Sequence, residues 1–395
     1  MRIVNIVDGF HPLAGYENNV LSKFMARKGH DYYIIAPIIE DSQKAYLDLF
    51  GKHDIDKLDR TFEQQTNVHI VRLHVKRFIS GRAIWDFKSL IKQIKAINPD
   101  LLFFCGNDTY VFIRYMLFTF RRLSYKLIAD SHMLPMASKN KFRKLFQLFY
   151  RLFVAPIINK NNILVIRWQN DDYIIRDLGL KRDNCPYISF GTDVSLFYPD
   201  ESDRIATRNK YGIKPDEFVV MYAGKIEESK GVELLAKAVN DQYIGEKKLT
   251  VFIVGNFDES NDYSINTKRL FDNSRNRVIF EHSQPYVELC HFYRCADLSI
   301  FPKQCSLSFF DVQACGNPVL LEHNNINDER CSHSNGVLYE PNNVSSLRDE
   351  IVRCIELEGT QYRQMSTNAI TFVLQNYNYE DICNSVESYM KTVLL

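Results

Sequence analysis

The stretch from Val219 to Pro318 constrains this chain most. It opens with VVMYAGKIEESKG and closes with FPKQCSLSFFDVQACGNPV. Val219–Ala223 is a short apolar run, which predicts a buried strand. Gly224 marks a tight turn, and a helix is expected to open near Gly231. Lys225 and Lys230 flank that turn. Asp297–Phe301 predicts a second strand, followed by a polar loop and a helix running through Asp311 to Cys315. Gly316 and Pro318 stop that helix ahead of a strand at Val319–Leu321. Such alternation implies an open parallel sheet, whose ligands bind at the carboxyl ends of the strands. One loop offers cations; the other offers a helix N-terminus and a carboxylate. The pairing suits a sugar nucleotide, with diphosphate on the lysines and ribose hydroxyls on Asp311.

A chain of 395 residues is expected to form two domains, each with its own core. The formal charge of +1 gives no overall bias toward nucleic acid, and none is expected as a partner. The nine cysteines are scattered. Even the nearest pair, Cys290 and Cys295, fits no common zinc spacing, so no metal site is expected. Reduced, buried thiols imply a cytoplasmic chain. The opening MRIVNIVDGF reads as a strand without signal-peptide anatomy. No apolar run reaches membrane-spanning length.

The first half repeats the same alternation. RIVNIVD predicts a strand ending at Asp8, and GFHPLAGYENN a loop. Asn19–Lys28 predicts a helix ended by Gly29, and HDYYIIAP a second strand. Residues 40–66 read as polar surface. Their Asp54-Ile55-Asp56 lacks the preceding strand that a metal-binding Asp-x-Asp needs. His69–Val75 predicts a strand and Ile84–Ile97 a helix. NPDLLFFCGND predicts a strand leading to Asn107 and Asp108, and KLIADSH one delivering Asp130 and His132. Residues 139–160 place Phe142, Leu145, Phe146, Phe149, Leu152 and Phe153 at helical spacing among Lys139, Lys141, Arg143, Lys144 and Arg151. Such a helix either faces a core or lies on an anionic membrane.

Farther on, helices are expected over Gly231–Val239, Asn266–Asn273, Ser345–Glu356, Gln361–Leu374 and Tyr379–Leu394. Residues 319–341 are expected to alternate strand and loop.

Several of these segments together resemble one family. GKIEESKG is similar to the glycine–arginine…lysine–glycine signature of retaining GT-B glycosyltransferases of family 4, the glycosyl transferases group 1, with Lys225 in the arginine's place. DVQACGNPV resembles their Glu-Ala-x-Ala-x-Gly-x-Pro-Val block, with Asp311 for glutamate. PLAGYE, FGTDVSLFYP (Phe190 for asparagine) and GVLYEP resemble further blocks in the family's order. The likeness covers nearly the whole chain.

It implies two Rossmann-like, doubly wound α/β domains facing a central cleft. Residues 1–199 would bind acceptor and 200–378 the nucleotide sugar, with the helix in 379–395 packing back on the first domain. It further implies that Gly15 and Tyr16 approach the donor phosphates and that His132 contacts the donor sugar. Lys225 and Lys230 would neutralise the diphosphate, while Glu281, His282 and Ser283 hold the base. Ser306, Leu307 and Asp311 complete the donor side. Asn107, Asp108 and Asp130 are acceptor-side candidates. The sequence departs from the family at Lys303, where a glutamate is usual, and at Gln304 and Ser306, which replace glycines. Lys303 then faces a phosphate or uronic acid, or is a surface lysine. Asp311 also has capping-box spacing from Ser308.

The activity implied is metal-independent hexosyl transfer with retention. The donor would be a UDP- or GDP-sugar, with no separate cofactor. The acceptor would be a glycan or lipid-linked glycan of a cell-surface polysaccharide such as lipopolysaccharide or capsule. The protein would be cytoplasmic or peripheral on the inner face of the membrane. Lys303 also admits a catalytically silent GT-B subunit. A nicotinamide oxidoreductase is disfavoured, because no Gly-x-Gly-x-x-Gly follows the first strand.

Overall fold

A computed structural model describes residues 1–39, 50–79, 81–123, 125–133, 141–303 and 308–395. The described residues divide into two compact units. One takes those of 1–43, 53–190 and 379–395; the other takes those of 44–52 and 191–378.

The first unit holds a parallel sheet of β1 (Arg2–Ile6), β2 (Asp31–Pro37), β3 (His69–Leu73), β6 (Leu101–Phe104), β7 (Lys126–Ser131) and β8 (Leu164–Arg167), in the order β3-β2-β1-β6-β7-β8. Ile3, Val4, Ile6 and the whole of Leu101–Phe104 are buried. Central strands of a parallel sheet are covered on both faces, so their apolar runs do not alternate. The helix Glu17–Arg27 joins β1 to β2. The helix Tyr379–Leu394 lies in the same unit and buries Ile382, Cys383, Val386 and Met390. Its Glu387 meets His30 Nε2 at 2.8 Å and Lys28 Nζ at 3.2 Å.

Between β3 and β6, β4 (Val75–Ile79) and β5 (Arg82–Trp85) form an antiparallel hairpin. The helix expected from Ile84 therefore starts only at Phe87. Asp86 caps it, accepting from Lys88 N at 3.3 Å, while Ala83 and Trp85 point inward on the strand. The helical stretch 143–160 is interrupted by a π-turn, Tyr150–Val154. A π-turn inserts a residue into the helical ladder and shifts its phase. Tyr150, Val154 and Ile158 face the core, whereas Phe142, Leu145, Leu148, Leu152 and Phe153 are more than half exposed.

The second unit repeats the plan with β9 (Glu217–Ala223), β10 (Lys248–Val254), β11 (Arg277–Glu281), β12 (Leu298–Phe301), β13 (Val319–Glu322) and β14 (Gly336–Tyr339). The order is β11-β10-β9-β12-β13-β14. Two differences from the sequence expectation arise from caps. The helix after β10 spans Asp262–Asp272, starting before Asn266, because Asn261 accepts from Ser264 N at 3.2 Å. The loop expected between β13 and β14 contains the helix Asn325–Arg330, nucleated by Asn324 accepting from Ile326 N and Asn327 N. That helix is too short and polar to show apolar periodicity. Among the described residues no helix is long and apolar enough to cross a membrane.

In each sheet the connections reverse direction beside the first strand, between β1 and β6 and between β9 and β12. Ligands of open α/β sheets bind outside the strand ends at such points.

Candidate active site

In the second unit, the turn after β9 is built by two glycines. Gly224 N donates to Val254 O at 3.0 Å, and Tyr222 OH donates to Lys225 O at 2.7 Å. The segment Glu228–Lys230 forms one 3-10 turn, and Gly231 closes it at φ +64°. That left-handed conformation favours glycine. A Cβ there would lie 2.8 Å from Lys303 Cδ and 2.9 Å from its Cγ. The stem of Lys303, just past β12, therefore rests on the turn that carries Lys230. Lys225, Lys230 and Lys303 are each half-buried. Three cationic side chains thus belong to the two loops at the β9/β12 reversal.

Asp311 lies in the helix Ser308–Ala314 and is buried. Its Oδ1 accepts from Thr192 Oγ1 and from Tyr286 OH, the latter at 3.2 Å. Burial pushes its carboxyl up to about 8, against the opposing pull of those two donors. Ser306 and Leu307 lie outside the described residues.

In the loop after β11, Glu281 accepts from Tyr211 OH and from His282 N, and Ser283 N donates to Asn256 Oδ1 at 2.9 Å. The amides of His282 and Ser283 are thus already engaged. His282 O accepts from Gln284 Nε2 at 3.0 Å.

In the first unit, His132 follows β7 and stands near Trp168 and Phe190, ring centroids 6.4 and 5.6 Å away. Trp168 and Phe190 themselves stack at 5.4 Å. Phe190, which replaces the family's asparagine, is therefore a wall of the His132 site. Asp130 is fully buried. Its Oδ1 accepts from Gly106 N at 2.6 Å, and its Oδ2 accepts from Trp168 Nε1 at 2.9 Å. His132 Nε2 lies 3.3 Å from Asp130 Oδ2, 3.5 Å from Glu17 Oε2 and 3.8 Å from Cys105 Sγ. Burial works against charge on His132, but Asp130 beside it outweighs burial and raises its pKa. The ring is 38% exposed, so solvent moderates that effect. Burial also pushes Glu17 up to about 8 and Cys105 up to about 12.

The remaining candidates separate. Asn107 is turned inward, with Nδ2 donating to Tyr150 OH at 3.0 Å. Asp108 is paired with Arg82 of the hairpin. Nearby Asp8 accepts from Trp85 Nε1 at 3.1 Å, and burial pushes its carboxyl up to about 6. Tyr16 is the N-cap of the helix Glu17–Arg27 and is 41% exposed, with Gly15 half-buried before it. Glu17, Cys105, Thr192, Arg82 and Tyr286 were not legible as site residues. Glu17 and Thr192 fall inside the PLAGYE and FGTDVSLFYP blocks, which is the sequence signal they carry.

The two reversal-point sheets and their strand-end loops define a two-unit α/β protein of the GT-B class. Residues 203–372 match the family described as Glycosyl transferases group 1, so the second unit carries that domain. Over 159 residues the chain is 28% identical to the D-inositol 3-phosphate glycosyltransferase of Paenarthrobacter aurescens, covering 38% of this chain and 37% of that protein. It is 25% identical over 195 residues to the lipopolysaccharide 1,2-N-acetylglucosaminetransferase of Salmonella typhimurium, covering 47% and 51% respectively. The chain thus spans about half or less of these relatives' length. Among solved structures, a glycosyltransferase from Rickettsia africae matches with a TM-score of 0.77 at 15% identity, covering 100% of this chain and 98% of that one. Anabaena HepE in complex with UDP-glucose matches at 0.73 and 17% identity, covering 99% and 100%.

Proposed function

We propose that this protein is a retaining, family 4-type glycosyltransferase that moves a hexose from a nucleoside-diphosphate sugar to a glycan or lipid-linked glycan acceptor. The observation that carries this reading is the Lys230–Gly231 turn with Lys303 lying on it, in the loop that also carries Lys225, at the β9/β12 reversal. As the glycosidic bond to the donor breaks, negative charge grows on the departing diphosphate. Fixed cations stabilise that charge without a metal on the phosphates. Asp311 serves the ribose hydroxyls, with its Oδ1 already oriented by Thr192 and Tyr286. His132 presents Nδ1 to the sugar while Nε2 is held by Asp130. Asp8 and Asp108 serve the acceptor.

The solved HepE complex with UDP-glucose supports a UDP-sugar donor, and the Salmonella relative supports a cell-surface glycan product. Lys230→Ala is expected to weaken UDP-sugar binding at least tenfold and to reduce transfer in proportion. Unchanged donor affinity and turnover would refute the assignment. Donor binding with neither transfer nor hydrolysis would instead identify a silent subunit.

Peripheral attachment to an anionic membrane belongs to the same reading. The stretch 139–160 contains no Asp or Glu, and its exposed Phe142, Leu145, Leu152 and Phe153 lie among Lys141, Lys144 and Arg151. Apolar area plus basic charge is the combination that anionic lipid surfaces bind. The protein should co-sediment with phosphatidylglycerol vesicles and not with phosphatidylcholine vesicles, and Leu145→Ser with Phe153→Ser should abolish the association. Equal binding to both vesicle types would remove this part of the proposal.

A further inference from the structure

We propose that Glu17, Cys105, Asp130 and His132 form a binding site for one divalent cation of the zinc class. The inference stands on the first unit alone and does not depend on the transfer reaction.

One potential ligand atom from each of the four lies within 4.8 Å of all the others. Measured from His132 Nε2, the separations are 3.3 Å to Asp130, 3.5 Å to Glu17 and 3.8 Å to Cys105. Zinc holds O, N and S ligands at about 2.0–2.3 Å in a tetrahedron, which sets those ligands about 3.3–3.8 Å apart. Hydrogen bonding explains the arrangement less well. One ring nitrogen makes one good hydrogen bond at a time, yet three polar groups converge on it, none closer than 3.3 Å.

A second observation points the same way. Glu17 is 3% exposed, and its Oε1 has no hydrogen-bond partner. Two buried carboxylates and a half-buried thiol therefore converge on one imidazole. Two carboxylates brought together stay ionised only if a cation neutralises them.

The surroundings are those of oriented ligands. Trp168 Nε1 and Gly106 N donate to the two oxygens of Asp130. Asn18 Nδ2 donates to Cys105 Sγ at 3.1 Å, and Asn5 Nδ2 fixes Asn18 by donating to its Oδ1 at 2.9 Å. Such outer contacts set ligand direction and affinity. A set of one thiolate, one imidazole and two carboxylates favours zinc over magnesium or calcium. The ligands come from the start of the helix Glu17–Arg27, the end of β6, β7 and the loop after β7. A bound ion would tie these elements together beside the β1/β6 reversal. With the ion on Nε2, the neutral ring of His132 keeps its proton on Nδ1.

The test uses the purified 395-residue chain. Elemental analysis after dialysis should find about one zinc per chain. After chelator stripping, titration with Co²⁺ should saturate at one equivalent, giving visible d–d bands and a sulfur-to-cobalt charge-transfer band in the near ultraviolet. Cys105→Ser should remove the charge-transfer band. Glu17→Gln should weaken Co²⁺ binding at least tenfold while leaving that band in place at saturation. Circular dichroism of both variants checks that they fold. Substoichiometric metal with no Co²⁺ spectrum, or a spectrum indifferent to Cys105→Ser, would overturn the proposal. The cluster would then be a set of protonated, hydrogen-sharing groups.

Discussion

Replacing Gly231 with alanine tests whether the turn carrying Lys230 is built as described. At φ +64° an L-residue loses about 1–2 kcal/mol relative to glycine. The new Cβ would also meet Lys303 Cδ and Cγ at 2.8 and 2.9 Å, inside van der Waals contact. Lys303 is long and flexible, so it would swing aside at a cost of about 0.5–1.5 kcal/mol in rotamer strain. The sum is about 1.5–3.5 kcal/mol, or a fall in Tm of about 3–14 °C for a unit of this size. Thermal and urea denaturation measure it, alongside UDP titration by calorimetry. Two further variants separate the causes. Gly231→Asn tolerates the left-handed backbone better but keeps the Cβ. Gly231→Ala made in a Lys303→Ala background relieves the contact and keeps the backbone cost. UDP affinity should fall in Gly231→Ala, because both Lys230 and Lys303 shift. A Gly231→Ala protein whose Tm and UDP affinity match the wild type would show that this turn is neither left-handed nor packed under Lys303.

Asp311 titrates near 8 in the folded protein, above its ordinary 3.8. The folded state therefore holds a proton that the unfolded state releases, and stability falls as pH rises between those values. The slope approaches about 1.4 kcal/mol per pH unit at most. Asp311→Asn should remove this slope, so its urea midpoint should gain on the wild type from about pH 5 to pH 8; parallel profiles would contradict the burial argument. Glu387 is held down to about 2, chiefly by Lys391 with help from His30 and Lys28, against its ordinary 4.5. Its stabilisation is full above 4.5 and is lost as pH falls through 2. Glu387→Ala should cost about 1–2 kcal/mol near neutrality, and the deficit should vanish in acid. An acid-independent deficit would mean lost packing instead of lost charge.

Much of the fold was legible because its strands are buried on both sides. Val219–Ala223 is apolar throughout and lies within β9. Tyr379–Leu394 carries a clear amphipathic stripe, and the helix has those ends. The errors fall where local chemistry overrides pattern. Ile84 belongs to a hairpin because Asp86, not an apolar repeat, sets the helix start. The helix Asn325–Arg330 depends on one asparagine cap. The site divides the same way. Lys225, Lys230 and His132 sit in motifs, so their loops could be located. Partners brought together by folding left no trace in spacing. Thr192 reaches Asp311 across 119 positions, and Glu17, Cys105 and Asp130 meet from three separate crossovers. In sequence Lys303 is only a departure from the family pattern; in the fold its stem lies on Gly231.

The chain leaves its first unit at Phe190, forms the second, and returns at Tyr379. During synthesis, therefore, the unit begun earliest is finished last. Until Ile382, Val386 and Met390 clear the ribosome, the apolar groups they cover on the nascent chain stay open to chaperones and to other polypeptides. The second unit, in which 191–378 is one uninterrupted run, is free to close first.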